Sequence, residues 1–386
     1  MIQNIKNTFI QKFSTEPFMV KSPGRVNLIG EHTDYNNGFV LPAAVNKAIY
    51  FAVGPNELNR FRFYAIDLDE SFETALDQIE ICSVHWANYL LGVIAQFITE
   101  GKFVSGFDCV FGGDVPLGAG MSSSAAIECG MAFAINHLQQ FEYSRLQLAK
   151  FAQKAEHEYA GVQCGIMDQF ASLHGKINQV IKLDCRSLEY ELFPFDMTDY
   201  QLALVNTGVK HALASSEYNI RRQECEAGVG LMQKYFPEVI SLRDANMEMI
   251  GEHQSEFPMN VYKRCSYIIE ENQRVDLACT ALQNSDFESF GQLMYQSHEG
   301  LKNKFEVSCP ELNQLVDIAS GIEGVIGARM MGGGFGGCTI NLMEKNAVPF
   351  FQKTINQLYQ APDGNTPQII EVVIEDGTRI LSPTGI

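Results

Sequence analysis

A glycine-rich loop set between a strand and a helix limits what this chain can fold into more than any other feature. Phe107, Cys109 and Phe111 alternate with smaller or polar residues, which predicts a half-buried strand. It ends at Gly112-Gly113-Asp114, because Pro116 lacks the N–H that ladder pairing needs. Gly118-Ala119-Gly120 follows as a flexible loop, and Ser122-Ser123-Ser124 leads into a helix over Ala125–Leu138. Such a loop offers backbone N–H groups and the positive end of a helix dipole to an anion. The serine hydroxyls add hydrogen bonds or a metal ligand. The segment is not G-x-x-x-x-G-K-[ST], which occurs nowhere in the chain. Nor is it G-x-G-x-x-G, because Ser123 stands where the third glycine belongs. A plain strand-to-helix turn with a serine cap is the open alternative.

At 386 residues the chain exceeds the size at which a single core stops growing, so two domains are expected. A second helix is predicted over Arg145–Ala160, with Gly161 as its stop. Near Glu191–Tyr200 the sequence turns polar and proline-bearing before a new apolar run, Leu202–Val205. The boundary is placed there, giving domains over 1–198 and 199–386 and leaving open whether a C-terminal strand returns to the first. Gly332–Gly337 precedes a strand over Cys338–Leu342, and Ile369–Ile374 reads as another. Strands and helices interleave without regular β-α-β spacing, which favours an α+β fold.

The formal charge of −18 argues against nucleic acid or anionic membrane as a partner. It also repels any polyphosphate ligand at long range, so a phosphate site here must rely on local donors and a metal ion. Ten cysteines contain no C-x-x-C pair, which excludes a zinc knuckle and suits reduced thiols in a cytoplasmic protein. Met1–Phe13 lacks the apolar stretch of a signal peptide, and the run Tyr89–Ile98 is too short to cross a bilayer. The expected location is the cytosol.

Two further features carry chemistry. Glu156 shares a helical face with Ala149, Ala152 and Tyr159. A carboxylate there is either a solvated edge residue or, with a hydroxyl, the protein share of a magnesium site. Between Ser22 and Tyr35, Glu31, His32 and Asp34 cluster beside Gly30. No H-E-x-x-H pairing completes a metal site. Carboxylates and an imidazole suit sugar hydroxyls, with a polar turn between strands as the alternative.

The segment Arg25–Asp34, continued by Asn36–Val45, closely resembles the galactokinase signature. Pro116–Ala126 is similar to the phosphate loop of the galactokinase, homoserine kinase, mevalonate kinase and phosphomevalonate kinase superfamily, and Gly332–Gly337 to its third motif. Cys164–Gln169 and Ser215–Cys225 also match galactokinases. The resemblance implies a two-lobed small-molecule kinase, with an N-terminal ribosomal-protein-S5-like lobe and a C-terminal ferredoxin-like lobe. It implies phosphoryl transfer from ATP, with Mg²⁺, to the C1 hydroxyl of galactose. Carried over by motif, Asp168 is the catalytic base and Arg25 its partner. Glu31, His32, Thr33, Asp34, Gly165 and Tyr218 bind the sugar. Gly118, Ala119, Gly120, Met121, Ser122, Ser123 and Ser124 hold the phosphates, and Ser124 and Glu156 bind Mg²⁺. No protein partner is implied, and a monomer is expected.

Met121 in place of a common leucine conserves volume, and Asn37 lies at a position that varies among relatives. His85, His137, His174, His211, His253 and His298 fall outside the motifs and are assigned structural or surface roles. His157 points about 100° away from Glu156 on a helix. Arg221 and Arg222 read as ion-paired, and Gly332–Gly337 as a place where backbones approach closely. The rival readings are a kinase for N-acetylgalactosamine or arabinose, and a non-catalytic sensor of galactose and ATP.

Overall fold

The computed structural model describes the chain from Met1 to Ser382, except Leu117, Ala119 and residues 210–213, and describes only the backbone of 214–216. Strands β1 (Phe18–Asn27), β2 (Phe39–Val40), β3 (Pro42–Pro55), β4 (Arg60–Ala65), β5 (Glu70–Ala75) and β6 (Phe107–Gly113) precede the glycine loop. Strands β7 (Gln179–Asp184), β8 (Tyr190–Pro194), β9 (Tyr200–Asn206), β10 (Val325–Met331), β11 (Cys338–Glu344), β12 (Ile369–Val372) and β13 (Arg379–Ile380) follow it. They form a six-stranded sheet in the order β13-β1-β3-β6-β4-β5, a four-stranded sheet β10-β11-β9-β12 and a three-stranded sheet β2-β7-β8. The fold is α+β and two-lobed, as expected.

Strand β6 is buried on both faces rather than half-buried. Its apolar side, with Phe107, Cys109 and Phe111, joins the main core. On the other side Val110 packs with Ile5 and Phe9 of the helix Ile2–Phe13. Asp108 tolerates burial because Arg62 binds it through two hydrogen bonds of 2.7 Å, and Asn56 donates a third at 2.7 Å. The alternation in the sequence is therefore real, and the N-terminal helix Ile2–Phe13 covers the second side.

The helix after the glycine loop runs Ser123–Leu138, and Ser122 does not cap it: its backbone is left-handed (φ 52°) and its side chain makes no cap bond. The next predicted helix is regular only over Arg145–Ala155. It continues as a π-helical turn, Glu156–Ala160, that stops at Gly161 in the left-handed region. The strands expected at 338–342 and 369–374 are β11 and β12. Leu202 and Leu204 of β9, Ile340 of β11 and Val372 of β12 pack in the same cluster as Val20 and Val26 of β1. The C-terminal sheet thus shares its inner face with the N-terminal core. No helix among the described residues is long and apolar enough to cross a membrane.

After β12 the chain crosses back, and β13 pairs antiparallel with β1, Val20 opposite Ile380 and Lys21 opposite Arg379. Lys21 Nζ meets Glu375 Oε2 at 2.6 Å, and the buried Thr378 hydroxyl donates to the Ser172 carbonyl at 2.9 Å. Removing residues 375–386 bares the edge of β1 and leaves Lys21 unpaired. Loss of a mostly buried pair and its hydrogen bonds costs on the order of 3 kcal/mol. A clear fall in melting temperature by calorimetry is the expected result, and an unchanged melting temperature contradicts this role for the C-terminal strand.

Candidate active site

The site is assembled around a buried arginine. A register shift between Pro23 and Arg25 in β1 re-aims the strand just before the signature segment. The Arg25 guanidinium meets Asp168, in the first turn of the helix Met167–His174, through Nε–Oδ1 at 2.7 Å and Nη2–Oδ2 at 2.6 Å. Its Nη1 donates to the Gly120 carbonyl, and its backbone N–H donates to the Met121 carbonyl at 3.1 Å. Burial opposes the charge on Arg25, but Asp168, with smaller help from Glu31 and Asp34, outweighs it and raises the pKa. A Cβ on Gly24 would stand 2.8 Å from the Met121 carbonyl, so glycine is what lets β1 and the phosphate loop lie so close.

In the loop itself, Gly118 and Gly120 take positive φ. Ala119 lies outside the described residues. The Met121 side chain is buried in the core, which leaves only its backbone to the loop. Gly120 and Gly332 approach each other, bringing the third motif against the loop. Gly120, Ser122, Ser124, Gly332 and Gly333 line one cavity of about 320 Å³ together with Arg25, Asp168, Glu156, Glu31, His32, Asp34, Gly165 and Tyr218. That is the lower end of the size range of small-molecule sites.

At one end of this cavity Glu156 is 7% exposed, which excludes the solvated-edge alternative. The Ser124 hydroxyl donates to its Oε1 at 2.9 Å, and Gln169 Nε2 donates to Oε2 at 2.7 Å. Burial, and next the charge of Asp168, raise its pKa. The wholly buried Glu128 stands beside it, accepting weakly from Gln169 at 3.4 Å. Among the described residues no group of three His, Cys, Asp or Glu could hold a metal alone. A magnesium ion needs no such group, since it keeps waters and takes phosphate oxygens. Carboxylates gathered beside a hydroxyl, with Arg25 already paired, fit a divalent cation.

The signature segment forms the other end. His32 has a left-handed backbone (φ 64°), and its ring packs 5.3 Å from Tyr218 and 4.8 Å from Phe305. Burial, then the charge of Arg221, lower its pKa to about 3, so the imidazole is neutral. Its Nδ1 is 2.9 Å from the Tyr35 hydroxyl, while Nε2 is buried without a partner. An orphaned ring nitrogen in a cavity wall suits a ligand hydroxyl. Gly165 is required by Asp34, because a Cβ there would lie 1.8 Å from Asp34 Oδ2. Thr33 does not join the others: its hydroxyl donates to Gly30 O at 2.9 Å and Phe39 O at 2.6 Å, and it lies off the cavity wall. It holds the turn that presents its neighbours.

Residues far along the chain hold this segment, and sequence reasoning missed them. Glu271 accepts from Gly30 N–H at 2.9 Å, and Tyr267 donates to Glu31 O at 3.0 Å. Phe39 N–H donates to Asn272 Oδ1 at 2.9 Å, and Arg329 binds the Glu31 carboxylate at 2.5 Å. The only signal for Arg329 was its place three residues before the glycine-rich segment. Arg221 is buried and bonded to Glu217 and the carbonyls of Phe305 and Glu306, and Arg222 pairs with Glu226. Both are ion-paired, as expected.

A glycine-rich loop, a carboxylate–guanidinium pair and a polar end that suits hydroxyls, within one cavity of a two-lobed α+β fold, are the parts of a small-molecule kinase. The N-terminal and C-terminal domains of the GHMP kinases match residues 88–176 and 278–361, and the galactokinase galactose-binding signature matches residues 7–55. The chain is 38% identical to a galactokinase of Roseiflexus sp., covering 97% of this chain and 95% of that protein. It is 41% identical to the galactokinase of Thermotoga maritima over 93% of this chain and 99% of that one. The structure of Lactococcus lactis galactokinase in complex with galactose superimposes with a TM-score of 0.94 at 33% identity, covering 98% of this chain and 99% of that chain. The mevalonate kinase of Methanococcus jannaschii shares the fold, with a TM-score of 0.67 over 94% of this chain and 99% of that chain at 19% identity. The chain belongs to the galactokinase family, and is an ATP-dependent sugar kinase.

Burial, and next the charge of Asp168, push the Asp34 pKa from 3.8 to about 7. Between these values the folded chain holds a proton that the unfolded chain has lost. Stability therefore falls as pH rises through this window and levels off above it. Asp34→Asn removes the effect, so its melting temperature should exceed that of the wild type by more at pH 8 than at pH 5. An equal gap at both pH values contradicts the raised pKa.

Proposed function

We propose that this chain transfers the γ-phosphoryl group of ATP to the C1 hydroxyl of α-D-galactose, giving galactose 1-phosphate and ADP. One observation carries the reading: the Arg25–Asp168 pair stands in a single cavity with the Ser124–Glu156 cluster and with Glu31, His32 and Asp34. The galactose complex of the Lactococcus lactis relative favours galactose as the sugar. Residues 1–198 are taken as the lobe that carries sugar signature and phosphate loop, and 199–386 as the lobe that carries the third motif.

Glu31 and Asp34 accept hydrogen bonds from sugar hydroxyls, neutral His32 uses its free Nε2, and Tyr218 closes the wall. Backbone N–H groups of Gly118–Ser124 and the N-terminus of the following helix receive the phosphates. Ser124 and Glu156 would hold Mg²⁺, which neutralises phosphate charge when bound. Asp168 takes the C1 hydroxyl proton as the new O–P bond forms and the bond from γ-phosphorus to the ADP oxygen breaks. Such a base contributes about 10²–10⁴-fold. Arg25 orients Asp168 through its paired hydrogen bonds to both carboxylate oxygens. Arg25 uses three of its N–H groups on Asp168 and Gly120, and the others can stabilise the transferring phosphoryl.

Mixing the chain with MgATP and galactose should produce ADP, with kcat/KM highest for galactose when N-acetylgalactosamine and arabinose are compared. Galactose binding without turnover would point instead to a sensor and sink the proposal. In the same assay Asp168→Asn should lower kcat about 10²–10⁴-fold while the galactose KM stays within a few-fold. Near-normal turnover refutes its role as base. Glu156→Ala should raise the Mg²⁺ concentration needed for half-maximal rate. An unchanged Mg²⁺ dependence with only a lower melting temperature makes the glutamate structural.

A further inference from the structure

Glu31 lines the cavity, yet its carboxylate is not held by its own segment. The partner is Arg329, near the end of β10, 298 residues away and wholly buried. Arg329 donates to Leu28 O, Asn27 O and Met330 O, each at 2.7 Å, and to Glu31 Oε2 at 2.5 Å. Three of these four acceptors are carbonyls. Glu31 is its sole ion-pair partner among the described residues, 4% exposed in its side chain. Glu31 Oε1 has no hydrogen-bond partner among the described residues, and the residue faces the cavity.

The geometry points to Arg329 as the positioning residue that fixes the Glu31 carboxylate for one sugar hydroxyl, and so sets discrimination among sugars. This rests on the sugar-binding role proposed above for Glu31. A glutamate has three rotatable bonds, and a carboxylate free to swing accepts from many hydroxyl positions. With Oε2 held by a planar guanidinium whose other donors are fixed on backbone carbonyls, Oε1 is held to one direction. The ordering cost is then met in the free protein instead of on binding. Lysine cannot substitute, because an ammonium carries three donors and no fork, against four acceptors here. The bonds to the Asn27 and Leu28 carbonyls give a competing reading, in which Arg329 only satisfies backbone acceptors. That role predicts lost stability without altered sugar recognition.

The test uses the full chain with Arg329→Lys and Arg329→Gln, with folding checked by circular dichroism. KM is measured separately for galactose and ATP, and again with a set of galactose analogues each lacking one hydroxyl. The galactose KM should rise about 10–100-fold, the range expected when a hydrogen bond involving a charged group is lost. The ATP KM should stay within about twofold. For one deoxy analogue, the preference for galactose should shrink by a similar factor. A folded variant whose galactose KM and preference are unchanged, or whose two KM values rise together, overturns the inference. If neither variant folds, the wild-type chain labelled with ¹⁵N-arginine answers the same question. Galactose alone should shift a slowly exchanging guanidinium signal, and no shift overturns the inference. Wild-type chain that fails to phosphorylate galactose refutes the proposed function and this role with it. Wild-type turnover with an unchanged variant KM refutes only Arg329.

Discussion

A guanidinium removed from water must find a carboxylate and acceptors for its remaining protons, or the fold that buries it pays heavily. Arg25, carried on β1, meets this demand with groups from two other elements: Asp168 from the start of a helix and the Gly120 carbonyl from the phosphate loop. The rest of the site follows from that convergence. Burial first, and next the negative charge of Asp168 held nearby by Arg25, push the Asp34 pKa up to about 7. At the opposite end, Glu156 and Glu128 stand close together, and both are pushed towards the protonated form by burial first. One buried ion pair therefore divides the cavity into an end that suits hydroxyls and an end that suits a cation with phosphates.

The segment around Glu31, near the chain's N-terminus, is supported by residues far along the chain. Gly30, Glu31 and Phe39 are each bonded to the helix Met259–Gln283, and Asn27, Leu28 and Glu31 to Arg329 of β10. Burial opposes the Glu271 charge, but Arg274 and the Ser297 hydroxyl outweigh it, so Glu271 keeps a lowered pKa and remains an acceptor for Gly30. A signature segment gripped in this way cannot move independently of the C-terminal sheet. Met331 ends the same strand that carries Arg329, and its carbonyl lies 3.2 Å from where a Cβ on Gly120 would stand. The signature segment, the third motif and the glycine loop are thus one packed unit, and contiguous packing of this kind transmits small displacements.

What could be read from the sequence was local or contained in a motif. The strand, glycine loop and helix around 107–138 needed only neighbouring residues, as did the left-handed stop at Gly161. Resemblance carried Asp168, Tyr218 and Gly165, which no spacing rule would have joined to Arg25. Three features escaped, two of them because their causes are distant and one because a binding motif hid a local turn. Glu156 looked like an edge residue, but Ser124 and Gln169, 32 and 13 residues away, bury and bond it, and a π-helical turn starts there. Thr33 sat inside a binding motif and turned out to brace the turn, since its hydroxyl is taken by two carbonyls. Arg329 gave no sign of burial, because a charged residue in a strand shows its partner only when the chain has folded.

The central claim is that one cavity presents the sugar's C1 hydroxyl to Asp168 and the γ-phosphate to Arg25. A crystal structure of the chain with galactose and a non-hydrolysable ATP analogue tests this most directly. The account predicts the C1 oxygen within about 2.6–3.2 Å of an Asp168 carboxylate oxygen. It also predicts other hydroxyls on Glu31, His32 and Asp34, and the γ-phosphate between Arg25 and Ser124. A sugar bound with C1 against Glu31 or Asp34, and a different hydroxyl facing Asp168, contradicts it.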